Sequence, residues 1–358
     1  TLRTTFCGPC FGAGDVPANG GLSIRHSTRN FPNREGSKPG EGQFASVALM
    51  DARSIAATAA NGGLLTAADE LDVEYNTPEY VFDKSIYEKR VWFGYNEADP
   101  SQSLSFGPNI KDWPRMKALH DNLVLGVASV IDDDVTTTDE LIPSGESSSY
   151  RSNPYRLSRL TLSRRDPAYV GRADVIAALA HKLCGEEYDA AVDISTAERT
   201  MTAAVEAYEA KYGKLEGSLG VGSLVCAVRP GDGSAREQAA SCQRVLGGSA
   251  NIARDYATKR YRSNLINWGM LPLTCGEMNI GKNAGTADDE IRCGQWVILP
   301  GIRAAVAGGA ESVEGYLCTA EGEVFRHRFD LGSLTEDERR IILAGSLTGR
   351  ALEEKEGK

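Results

Sequence analysis

The feature that most constrains this chain is a pair of thiols near its start, Cys7-Gly8-Pro9-Cys10. A glycine-rich stretch follows, then Thr28-Arg29-Asn30-Phe31-Pro32-Asn33-Arg34. Cysteines at this spacing can share one metal centre, and they are also the frame of thioredoxin-type redox motifs. The redox motif needs a strand before it and an amphipathic helix directly after it. Only six residues precede Cys7, and Phe11–Gly21 carries four glycines and a proline, which break a helix. The thioredoxin frame is excluded. Residue types alone leave open a structural zinc pair, which wants two more Cys or His at similar spacing, or two buried thiols. Arg29 and Arg34 sit in a bend shaped by Asn30, Phe31 and Pro32, and their guanidinium groups can point at one anion.

With 358 residues the chain can build two domains with separate cores. Hydrophobic residues make up 41% and charged residues 25%, ordinary for a globular protein. No run approaches the ~18 apolar residues of a membrane span. The chain opens on Thr1, and Thr1–Phe6 is not a signal peptide, so a processed or truncated product is expected. Eight cysteines are too sparse for a disulfide scaffold. Without a secretory signal they imply thiols in a reducing, cytoplasmic compartment. A net charge of −10 argues against nucleic acid as a partner. An anionic substrate would then be drawn by local arginines rather than by the global field.

Apolar runs and breakers predict a short strand over Phe44–Met50 and a helix from Asp51 to Asn61, closed by Gly62-Gly63. Periodicity fades between Glu70 and Asp112, as in an interdomain excursion. Beyond it the pattern gives a strand Leu123–Ile131 and a helix Gly171–Leu183. Ser195 and Glu198 have capping-box spacing before a helix Arg199–Tyr212. A strand Gly222–Val228 precedes a helix Glu237–Leu246. Further on come a helix from Tyr261 stopped at Gly269, a strand after it, and strands near Gln295–Leu299 and Glu323–Phe329. A helix capped by Thr335 with Glu338 follows, and the charged tail Glu353–Lys358 is expected to fray.

The Cys7-x-x-Cys10 pair, the glycine-rich turn and Arg29-Asn30-Phe31-x-x-Arg34 resemble the cluster-binding segment of aconitase-family hydro-lyases. That resemblance implies a 4Fe–4S cluster held by three cysteines, two of them Cys7 and Cys10, with the third expected outside this chain. It implies that Arg29 and Arg34 grip substrate carboxylates. Pro230-Gly231-Asp232-Gly233-Ser234-Ala235-Arg236-Glu237 follows a strand and opens a helix, where free backbone N–H groups favour anions. It is similar to the family's Gly-x-Gly-Ser-Ser-Arg-Glu loop, which makes Ser234 the catalytic base and Arg236 a carboxylate clamp. Ala235 stands where the family has a second serine. Thr137–Gly145 with Tyr150-Arg151 resembles another cleft segment and gives Arg151 a substrate-binding role. Tyr261–Leu273 resembles a structural signature and is assigned to the core.

The resemblance spans the chain from Cys7 to about Leu347 and corresponds to the later half of a single-chain family member. The expected fold is α/β: the end of a cluster domain over residues 1–90, a linker over 91–112, and a swivelling β/β/α domain over 113–358. The expected activity is dehydration and rehydration of a hydroxy-di- or tricarboxylate, with amino-terminal aconitase domains as missing partners. The alternative is a non-catalytic relative acting as a binding or iron-sensing protein, for which the arginine-rich segment Arg151–Arg172 is the supporting feature.

Overall fold

The computed structural model describes residues 20–26, 46–74, 76, 79–90, 94–103, 105–106, 110–143, 147, 150–188, 191–234, 236–276, 280 and 290–356. The chain divides into two compact units, Thr1–Ile110 and Lys111–Lys358.

In the first unit, strand β1 (Leu22–Arg25) pairs in parallel with β2 (Ser46–Leu49), Leu22 opposite Ser46. Helix α1 (Ala52–Ala60) follows directly. Asp51 starts it, its carboxylate accepting from the N–H groups of Arg53 at 2.9 Å and Ser54 at 3.0 Å. These are two of the donors a helix leaves orphaned at its first turn. The chain then turns back, and Thr66 N–H donates to the Thr58 hydroxyl at 3.1 Å. A short helix α2 (Ser85–Arg90) ends the regular structure described in this unit.

The second unit is a mixed barrel. Its strands are β3 (Asn122–Ile131), β5 (Leu219–Ala227), β7 (Gly248–Ala253), β8 (Leu271–Thr274), β9 (Trp296–Leu299), β10 (Ser312–Cys318) and β11 (Val324–Asp330). They close in the order β10-β11-β8-β7-β5-β3-β9. The run β3-β5-β7-β8 is parallel, and β9, β10 and β11 join it antiparallel. Successive residues of β3 serve two different clusters. Leu123, Leu125 and Val127 pack with Leu224, Leu271, Val297 and Phe329. Val124 and Ala128 pack with Tyr169, Ile176 and Val225. Period-two side chains buried on both faces explain why β3 is a nearly continuous apolar run. The fold is α/β.

Parallel neighbours need long crossovers. Between β3 and β5 run β4 (Thr136–Thr137) and the helices α3 (Thr138–Leu141), α4 (Pro154–Ser158), α5 (Tyr169–Leu183) and α6 (Ser195–Tyr212). Between β5 and β7 lie β6 (Pro230–Asp232) and α7 (Arg236–Val245), and between β7 and β8 lies α8 (Lys259–Asn267). The chain closes with α9 (Ile302–Ala307), α10 (Glu336–Ala344) and α11 (Leu347–Glu356).

Two local expectations change. Ser195 lies inside α6, whose cap position is Ile194, and its N–H is taken by the Asp193 carboxylate at 2.9 Å. The acid two residues upstream reaches the first turn before the capping-box serine can. The tail does not fray at Glu353: α11 runs to Glu356, with Arg350 Nε donating to Glu354 at 2.9 Å one turn on.

Candidate functional site

The serine loop Pro230–Ser234 leaves β5 as the short strand β6, which pairs in parallel with β4. Thr136 lies opposite Pro230 and Thr137 opposite Asp232. Two segments some ninety residues apart, each singled out by the sequence, therefore meet in one ladder. Thr137 also caps α3. Its hydroxyl accepts from Glu140 N–H at 3.2 Å, while the Glu140 carboxylate takes the Thr137 N–H at 2.7 Å. This capping box fixes Thr138, which is buried, against the serine loop.

The loop needs glycine at two places. Gly231 has φ +95°, and a Cβ there would run into the Tyr261 ring. Gly233 has φ +126°, and a Cβ there would meet the Thr138 hydroxyl. Ser234 follows, exposed to solvent, two residues before α7 begins. Ala235 and the Arg236 side chain lie outside what is described, although Arg236 is the first residue of α7.

The floor beneath the loop is Tyr261, fully buried on α8. Its hydroxyl accepts from Gln243 Nε2 and Asn251 Nδ2, each at 2.9 Å. Burial pushes this phenol well above its ordinary range, so it stays neutral. The sequence assigns Tyr261 to the core, as the structure does. It does not reveal that the ring lies under Gly231, or that Thr258 reaches the same loop. The available signal is Thr258 at the cap of a helix that buries Tyr261, Leu265 and Ile266; nothing local says what else that hydroxyl meets.

Arg151 sits in the turn ahead of α4, half-buried, its Nε without a partner among the described residues. Asn153 caps α4, accepting from Arg156 N–H at 3.2 Å, and α4 packs against α7. The turn bearing Arg151 and the loop bearing Ser234 thus lead into two helices in contact. Four other arginines of that segment are engaged with acids. Arg159 makes a bidentate pair with buried Asp174, both distances 2.7 Å. Arg164 meets Asp139 at 3.0 Å, Arg165 meets Asp132 and Asp133, and Arg172 meets Asp166.

Cys7, Cys10, Arg29 and Arg34 lie outside the described residues. Among the described cysteines, Cys226, Cys242, Cys275 and Cys318 are buried and Cys184 and Cys293 exposed. No three described His, Cys, Asp or Glu residues are grouped to hold a metal ion. No described helix is long and apolar enough to cross a membrane.

Residues 1–57 match the model of the aconitase family (aconitate hydratase). Residues 193–278 match that of the aconitase C-terminal domain. The first match contains the thiol pair and both arginines; the second contains the serine loop and its Tyr261 floor. Over these two stretches the chain is similar to the aconitase family. The chain has no match among curated proteins. Among solved structures it is similar to a 3-isopropylmalate dehydratase of Methanocaldococcus jannaschii, at 18% identity and a TM-score of 0.36, over 65% of this chain and 95% of that one.

Proposed function

We propose that this chain is the cluster-loop end and swivelling domain of a hydro-lyase or isomerase that removes water from a hydroxy-di- or tricarboxylate and adds it back. The observation that carries the proposal is the β4–β6 ladder, which joins two cleft motifs and leaves Ser234 exposed just ahead of α7. Residues 1–90 would belong to the cluster domain, 91–112 to a linker and 113–358 to the swivelling domain, working in the cytoplasm.

Ser234 is the base that takes a proton from the substrate carbon. Its alkoxide form needs nearby positive potential, and the amino end of α7 and Arg236 supply it. Arg236, Arg151, Arg29 and Arg34 hold the carboxylates, and their forks fix the substrate's orientation as well as its charge. Cys7 and Cys10 would hold part of a 4Fe–4S cluster, completed by a cysteine and amino-terminal domains outside this chain, which when bound supplies Lewis-acid chemistry to the hydroxyl. The non-catalytic alternative drew on the arginines of 151–172, and most of these are spent on neighbouring acids. The test is turnover of citrate-, methylcitrate- and malate-type acids by the holoenzyme, with Ala235→Ser beside the wild type. Hydration of at least one acid is expected, with Ala235→Ser equal or faster. No turnover by either protein would favour the non-catalytic alternative.

A further inference from the structure

Ser234 is exposed, so few contacts of its own hold it. Its position is inherited from the four residues before it. Those residues are tied down by the segment between β7 and α8. Ala257 N–H donates to Pro230 O at 3.0 Å. One residue on, the Thr258 hydroxyl donates to Gly231 O at 3.0 Å. The same hydroxyl accepts from Tyr261 N–H at 3.2 Å, as the cap of α8. Thr258 therefore fastens the Gly231 carbonyl to the helix that carries the Tyr261 floor. Gly231 lies on that ring and Gly233 against Thr138, and both contacts limit how the loop presents the next residue.

We infer that Thr258 is a positioning residue for Ser234, setting the direction of the serine loop through the Gly231 carbonyl. This rests on Ser234 being the base. A base displaced by an ångström loses on the order of a hundredfold in rate. One side-chain hydrogen bond at the root of a short loop can therefore govern turnover without touching substrate.

The experiment compares Thr258→Val, Thr258→Ser and Thr258→Asp. Valine removes the hydroxyl. Serine keeps it. Aspartate still caps α8 by accepting from Tyr261 N–H, but has no proton to give Gly231 O, so it separates tether from cap if the valine variant fails to fold. Amide exchange of residues 231–234 is read on this chain, and kcat and KM on the holoenzyme. Valine and aspartate should speed exchange about fivefold or more, the scale of one net hydrogen bond. Valine should lower kcat about 10- to 100-fold with KM little changed, and serine should restore both readings. Wild-type exchange in the valine or aspartate variant overturns the tether, as does unchanged kcat in a valine variant whose loop exchanges faster. A wild type without turnover contradicts the hydro-lyase reading, and exchange alone then decides the tether.

Discussion

At Gly231 the backbone adopts φ +95° directly over the Tyr261 ring, and both conditions demand the absence of a Cβ. Left-handed backbone costs an L-residue roughly 1–2 kcal/mol, and forcing a methyl into a packed site adds about 1–3 kcal/mol. Gly231→Ala is therefore expected to cost at least about 2 kcal/mol in denaturant unfolding. A cost below about 0.5 kcal/mol, the scatter of surface substitutions, would mean the loop does not rest on the ring. The same residues show what a sequence can say about a site. Glycine-Asp-Gly-Ser announces a tight turn before a helix. Which side chains crowd the glycines is decided by Tyr261 and Thr138, far apart in the chain, and no local pattern encodes that.

The elements repeat the lesson in their caps. Thr335 and Glu338 form the capping box that their spacing suggests, with Glu338 N–H reaching Thr335 Oγ1 at 3.2 Å and Thr335 N–H reaching Glu338 at 2.9 Å. Ser195 and Glu198 have the same spacing, but Asp193 supplies the acceptor there. Thr335→Ala should cost about 1 kcal/mol, and Ser195→Ala no more than about 0.5 kcal/mol, as at an ordinary surface site. Equal costs in thermal unfolding would undo the distinction. Strands with unbroken apolar runs, β3 and β5, were legible, as were the longer helices. Among the strands that the pattern does not mark are β7, Gly-Ser-Ala-Asn-Ile-Ala, and β10, whose run is broken by Glu314 and Gly315. Both are strands because neighbours pair with them, β7 between β5 and β8, β10 between β9 and β11. Small and charged residues carry little propensity of their own.

Over the whole second unit, burial sets the response to alkali. Burial pushes the thiols of Cys226 and Cys242 and the phenols of Tyr169, Tyr256 and Tyr261 far up, and that of Cys318 up to about 12. In the unfolded chain thiols release protons near pH 8.5 and phenols near 10. The native state holds more protons than the unfolded one above those values, so stability is complete below about pH 8.5 and falls as pH rises. Arg244 works the other way. Its guanidinium is buried among the carbonyls of Lys117, Gly248 and Gly345, and burial lowers it to about 10. Its relief begins only above that pH and is one group against six. Urea midpoints under reducing conditions should fall between pH 8.5 and 11; a flat or rising midpoint would contradict this. The α/β class could be read in advance from alternating strands and helices. Barrel closure could not, since it rests on β9 pairing with β3 and β11 with β8 across long separations.

A separate two-stranded pairing brings β4 beside β6, and Ser234 just after it is the residue on which the proposed function turns. The direct measurement is kcat of Ser234→Ala in the cluster-loaded holoenzyme, with the visible spectrum of the cluster followed in the same sample. Loss of a general base predicts kcat lower by ~100-fold or more, with the spectrum unchanged. Full activity in Ser234→Ala would contradict the assignment of the base.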